Sequence, residues 1–434
     1  MANKVNRIKI SFPNMGNCWV AFKSLIESIP GLDVVLPPPV NRKTIELGAK
    51  YSPEFVCFPF KVNVGDFIQT YEQYGVKIFI NAIDCGPCRF GFYHAVQERI
   101  LKDLGYDLTI IQLDQADLLE FKWLKTFNIL HDMTGEKNKI KRFYNILNAA
   151  IIFLKKAKIT ADMEKLEAYF LPRETKKGMT VDIMNRMLKL LDQAKTIKQV
   201  QEARPKIIEE FLKIPIDESL NPLRVKLTGE IHVTLEPYVN LDLKRKLGSM
   251  GIEVHQDLSL IDWVLHKFHI NFHRKALEEK ARPYLPLDIG GEAQWVLGEY
   301  IEAMEKGLDG FIHIYPFTCM PENTARGIIT AMDEPKLPVI FFSFDEHTGV
   351  EGMRTRLESF VELMEDKRRK GQNIKPIEKY QNHQKMIDEI IKNHRSTVDN
   401  IIDIIENMLK IGLSINPIEA LNQINYIVNN LEKI

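Results

Sequence analysis

Val76-Lys-Ile-Phe-Ile-Asn-Ala-Ile83 is a nearly continuous apolar run, and Asp84-Cys85-Gly-Pro-Cys88 follows it directly. A run this apolar reads as a strand buried on both faces, which is the habit of parallel sheets. Its neighbours agree. Phe67–Tyr74 before it is helix-like, with a turn at Gly75. Tyr93–Leu104 after it is a second helix candidate, Gly105 stops that helix, and Leu108–Leu113 is the next strand. Upstream, Val5–Phe12 alternates apolar and polar residues, Cys18–Ser28 can form a helix, and Asp33–Leu36 reads as a strand. Strands alternating with helices predict an α/β layer on a parallel sheet.

The pattern has an echo. Gly307 and Gly310 introduce a second buried strand, Gly310–Tyr315, which runs into Pro316-Phe-Thr-Cys319-Met-Pro321. Further strands are expected near Glu230–Leu235 and Pro338–Phe344, with a helix at Glu292–Glu305. Both regions put cysteine just past the carboxyl end of a core strand, the edge where open α/β sheets bind ligands. Between them the strand signal vanishes, and spacing such as Ile151-Ile-Phe-Leu154 and Met184–Leu191 reads as helical. The expected fold is α/β, with two doubly wound parallel-sheet domains, a helical insertion between them and a helical C-terminal tail. The divisions are 1–120 (with Cys57, Cys85 and Cys88), 121–221 (helical), 222–365 (with Cys319) and 366–434 (tail). The tail opens with Lys367-Arg-Arg-Lys370, read as a solvated connector.

The chain has 434 residues, with 58 Lys plus Arg against 58 Asp plus Glu. A formal charge of zero argues against a protein built to grip nucleic acid. The first ten residues hold no apolar targeting core, and no run approaches a membrane span. The cytoplasm is therefore the expected location.

The five cysteines are too sparse for a disulfide framework. Cys57 and Cys319 both stand in Cys-x-Pro, where proline fixes the backbone beside the thiol. Together with Cys85-Gly-Pro-Cys88 they make four thiols in three loops, as an iron–sulfur cluster requires. Two other readings of the same residues stay open: thiol–disulfide exchange at Cys85 and Cys88, or a structural zinc site. Against the first, Ile83-Asp84 stands where an aromatic residue is expected. Cys18, at a helix start, reads as structural.

No dinucleotide fingerprint, P-loop or His-Glu-x-x-His motif occurs. Asp345-Glu-His-Thr-Gly349 is a candidate proton-handling loop, with Glu346 and His347 as the catalytic candidates. Its plainer reading is a turn with Thr348 as helix N-cap. Gly290-Gly291-Glu292 reads as a loop or an anion-binding helix start, and Glu236-Pro-Tyr-Val-Asn240 as a polar segment after a strand.

Several blocks, in order over about residues 5–365, resemble a known family. They are Phe12-Pro-Asn-Met-Gly-Asn17, Pro53-Glu-Phe-Val-Cys57-Phe-Pro-Phe-Lys61, Cys85-Gly-Pro-Cys-Arg-Phe-Gly91 with Tyr93 and Gln97-Glu98, Gly229-Glu230, Glu236–Asn240, Gly290-Gly291, Pro316–Glu322 and Asp345–Gly349. The family is the acyl-CoA dehydratase activase-related proteins (CoA protein activases), related to 2-hydroxyacyl-CoA dehydratase subunits and double-cubane-cluster proteins. The resemblance implies an oxygen-sensitive iron–sulfur protein. Its electrons would come from a separate acetate-kinase/Hsp70-like ATPase carrying its own cluster. In the dehydratases one electron passes to a 2-hydroxyacyl-CoA thioester, giving a ketyl radical and easing loss of water. By motif match Cys57, Cys85, Cys88 and Cys319 are the ligands. Five cysteines are few for a double cubane in one chain, so a single [4Fe–4S] cluster is expected. A dimer or a related subunit would supply what a doubled cluster lacks. No nucleic-acid or membrane partner is expected.

Overall fold

The computed structural model describes residues 7–83, 87–114, 123–332, 337–372, 385–392 and 399. Two four-stranded sheets, parallel throughout, form the frame. The first contains β1 (Ile8–Ser11), β2 (Leu32–Val34), β3 (Ile78–Ile83) and β4 (Thr109–Asp114) in the order β2-β1-β3-β4. The second contains β5 (Leu223–Gly229), β6 (Ile252–His255), β7 (Gly310–Pro316) and β8 (Val339–Phe344) in the order β6-β5-β7-β8. The two sheets share one winding: the chain steps outward from the first strand, then returns to its other side. Each therefore has a switch point, between β1 and β3 and between β5 and β7. There the crossovers leave on opposite faces and open a crevice beyond the strand ends.

Alternation along β3 explains why both faces of the first sheet are covered. Ile80 packs with Ile10, Ile111 and α1 (Trp19–Glu27) on one side. Phe79 packs with α3 (Phe58–Tyr74) and α4 (Tyr93–Asp103) on the other. In the second sheet Ile312 and Ile314 face α10 (Leu243–Ser249) and α15 (Val350–Arg369). Phe311 faces α12 (Phe272–Ala281), α13 (Ala293–Glu305) and α14 (Met320–Ala331). Val40, Ile45, Phe58 and Val62 of the first α/β region enter this second core. The last three come from α2 (Arg42–Tyr51) and α3.

The helical region comprises α5 (Trp123–Met133), α6 (Lys139–Phe170), α7 (Met179–Gln193) and α8 (Ile197–Leu212). The 32 residues of α6 span about 48 Å at 1.5 Å each. Its apolar residues pack on α1, α7 and α8, and Ile387 and Ile390 of α16 (Lys385–Ile391) join them. No described helix is long and apolar enough to cross a membrane.

Four local expectations change. Glu230–Leu235 is not a strand: β5 ends at Gly229, and Ile231–Leu235 is a short helix, α9, capped by Glu230. The strand β6 was not anticipated; in its four residues, Ile252–His255, Glu253 and His255 interrupt the apolar signal. The helix α3 begins at Phe58 rather than Phe67, because Pro59 falls in the first turn, where a missing N–H costs nothing. Gly349, not Thr348, precedes α15; the Thr348 hydroxyl instead closes a turn on Asp345.

Candidate functional site

The two switch points face one cavity of about 280 Å³. From the first sheet it receives Pro13 and Asn14 after β1, and Asn81, Ala82 and Cys88 at and after β3. From the second it receives Glu230 and His232 after β5, and Pro316 and Cys319 at and after β7. Cys57 joins from the start of α3. Three of the four thiols singled out in the sequence thus line one cavity, although they come from three loops and both sheets. Cys85 lies outside the described residues.

Local chemistry places each thiol. Cys57 stands at the N-cap position of α3 and Cys319 at that of α14, each with proline in the first helical turn. Cys88 precedes a short 3₁₀ turn, Arg89–Phe92. Negative charge is favoured at helix N-termini, where unpaired N–H groups point outward. The hydroxyl of Tyr93 pairs with the Cys57 sulfur. Arg89 donates to the carbonyl of Phe55 and so joins the Cys88 loop to the Cys57 loop. Gly290 and Gly291 have φ of +79° and +62° and wedge between the Cys88 and Cys319 loops. A side chain at Gly290 would press on Pro87, and one at Gly291 on Pro321.

The surroundings do not favour free thiolates. Burial, with the charges of Glu292 and Glu230 adding to it, pushes the Cys88 thiol up to about 11. Burial, then Glu322 and Glu230, pushes Cys319 up as well. Burial lifts Glu230 to about 7 despite two backbone N–H donors, and it raises Glu292 strongly, Glu322 and Glu230 adding to the effect. Without a cation these groups are held toward their protonated, neutral forms, whereas a bound metal would invert this logic by deprotonating the thiols outright. Sulfur donors suit iron–sulfur clusters and zinc. Two thiolates on one zinc ion lie at most about 4.6 Å apart, twice the Zn–S bond. Among the described residues, the trio of metal-ligand type whose atoms all lie within 4.8 Å of one another is Asp257, His273 and Glu302, and the thiols are spaced more widely.

The Asp257 trio is a satisfied ion-pair network. Lys226 holds Asp257 at 2.5 Å, and Lys306 holds Glu302 at 2.8 Å.

The Asp345–Gly349 loop stands apart from the cavity wall. Glu346 forms a largely buried ion pair with Lys61 of α3. Burial works to raise its carboxyl, but Lys61 outweighs this and holds it below the usual range. The side chain of His347 is 86% exposed. Cys18 is buried between α1 and α6 and borders a separate small void with Ala157 and Leu235.

A polar clamp that sequence reasoning did not resolve closes the cavity floor. Asn14 donates its backbone N–H and its side-chain amide to Asp66 of α3, at 2.9 and 3.0 Å. Its carbonyl pairs with His232 Nε2 at 3.1 Å. Gly16 N–H donates to Glu236 at 2.7 Å. Burial holds His232 down at about 4, hence neutral, and lifts Asp66 to about 8. The one signal was the polar cluster Asn14–Asn17 after a strand, which does not name its partners. Neither models of known families nor curated proteins match this sequence.

Proposed function

We propose that this chain is an iron–sulfur protein whose cluster is held in the cavity between the two switch points, with Cys57, Cys88 and Cys319 as ligands and Cys85 as the fourth thiol. The observation that carries the reading is the convergence of three loops from both sheets on one cavity. The donor set fits such a group. The sulfurs stand at helix starts, and the cavity wall adds carboxyls that a metal core would compensate. When bound, the cluster would supply one-electron chemistry at low potential. The chain's own contribution is to hold the sulfurs, to keep water out with Phe12, Phe22, Ile80 and Trp295, and to admit a small organic molecule beside the thiols.

Read with the family resemblance, the function is a component of a reductive or radical dehydration of the 2-hydroxyacyl-CoA type. Its electrons come from a separate ATP-dependent activator carrying its own cluster, and its compartment is the cytoplasm. Thiol–disulfide exchange is the weaker reading, because it needs only Cys85 and Cys88 and leaves Cys57 and Cys319, which line the same cavity, without a part.

Anaerobic purification with iron and acid-labile sulfide counts tests the proposal. About four of each per chain is the expected result for a single cubane. Zinc without sulfide would make the site structural. Neither metal nor sulfide, with a reversible Cys85–Cys88 disulfide, would favour exchange.

A further inference from the structure

Four carboxyl side chains line the thiol cavity: Glu230, Glu278, Asp288 and Glu292. Three have donors. Glu230 accepts from the N–H groups of His232 and Val233. Glu278 accepts from the indole of Trp295, and Asp288 from the N–H of Gly290. Just outside the wall, Glu322 pairs with His313 and Glu236 takes the Gly16 N–H. Glu292 is 8% exposed, and among the described residues it has no hydrogen-bond or ion-pair partner.

A buried carboxylate without a partner is costly, and folds avoid it unless something binds there. The backbone works to put Glu292 in this position. Gly290-Gly291, both left-handed, pass between Pro87 beside Cys88 and Pro321 beside Cys319. The next residue, at the start of α13, is Glu292. The loop that spans two of the thiols thus delivers a carboxyl to the same cavity.

We propose that Glu292 is a direct oxygen ligand of the metal group held by Cys57, Cys88 and Cys319, a fifth donor that adds an oxygen to one iron already bound by a thiolate. The assignment rests on the iron–sulfur reading above and extends it to a mixed sulfur and oxygen donor set. One iron then differs from its neighbours in ligand hardness, and a carboxylate is more readily displaced by an incoming oxygen donor than a thiolate is.

The test compares wild-type chain, Glu292→Gln and Glu292→Cys, each reconstituted anaerobically with ⁵⁷Fe and sulfide. Mössbauer and electron paramagnetic resonance spectra are recorded, with melting temperatures before and after loading. Wild type should show one iron site distinct from the rest. Glu292→Gln should change that site and lose iron to a chelator at least about tenfold faster. Glu292→Cys should give sulfur-only spectra. Before loading, Glu292→Gln should melt at or above wild type, because the uncompensated carboxyl is gone; after loading it should melt below. This reversal of sign would not arise from a purely structural residue. Matching spectra and iron retention in wild type and Glu292→Gln would overturn the assignment and leave the cluster reading intact. A wild-type chain that takes up neither iron nor sulfide would overturn both.

Discussion

Gly16 shows how one residue can hold two sheets together. Its φ is +51°, and a Cβ there would lie 1.9 Å from the carbonyl oxygen of Leu235. That atom is backbone, so no rotamer change relieves the clash. The same close approach lets the Gly16 N–H reach Glu236. Gly16→Ala should therefore cost about 3 kcal/mol, combining overpacking with a strained backbone. Gly352, inside α15 with open space around its Cα, is the control. Gly352→Ala should stabilise by up to about 1 kcal/mol, because alanine is the better helix former. Urea titration of both variants measures the difference, and equal midpoints would show that Gly16 tolerates a side chain. Of this residue scale the sequence revealed the cysteines, since Cys-x-Pro and Cys-x-x-Cys are local patterns. It could not reveal Glu292, because what sets that residue apart is a missing partner, and partners come from distant segments.

Elements were legible where local pattern and tertiary need agree. Val76–Ile83 is apolar on both faces and becomes the central strand β3, at Ile78–Ile83. Glu230–Leu235 failed for a physical reason. Ile231, Val233 and Leu235 alternate like a strand, yet the Glu230 carboxylate captures two N–H groups and starts a helix. A cap thus outweighs β-propensity, which is weak and context-dependent. Between elements, Arg173 after α6 pairs with Glu253 of β6 at 2.5 Å, both buried, and so ties the helical region to the second sheet. Burial works to raise Glu253, but His255 and Arg173 overcome it and hold the carboxyl at about 2. An unfolded glutamate titrates near 4.3, so its folded pKa is depressed. The pair's stabilisation is then complete above about pH 4.3 and is lost as pH falls through about 2. Arg173→Met should cost about 3 kcal/mol at neutral pH by leaving the buried carboxylate with His255 as its remaining ion-pair partner. The deficit should shrink as pH falls through that window, read by denaturant titration at several pH values. A deficit independent of pH would show that Arg173 acts by packing alone.

At the scale of the whole molecule, the two α/β regions are joined by apolar burial and by polar contacts. Val40, Ile45, Phe58 and Val62 enter the second core. Asn14 with His232, and Lys61 with Glu346, clamp the boundary. What lies between these attachments is a cavity of thiols and carboxyls whose groups, without a cation, resist ionising together. Metal loading should relieve that conflict and draw the regions together, because binding free energy is gained only by the closed form. Anaerobic reconstitution should raise the melting temperature and slow proteolysis at the boundary. Cys319→Ser removes a ligand from the second region and should abolish both effects while lowering iron content, and Cys85→Ser should act likewise from the first. Cys18→Ser should keep the iron and the closure, since its sulfur packs between α1 and α6. Iron, sulfide and limited proteolysis on the same preparations separate the cases. Full iron content after loss of both Cys85 and Cys319 would sink the idea that one group bridges the two sheets. The closed cavity would then be a product of the apolar contacts alone.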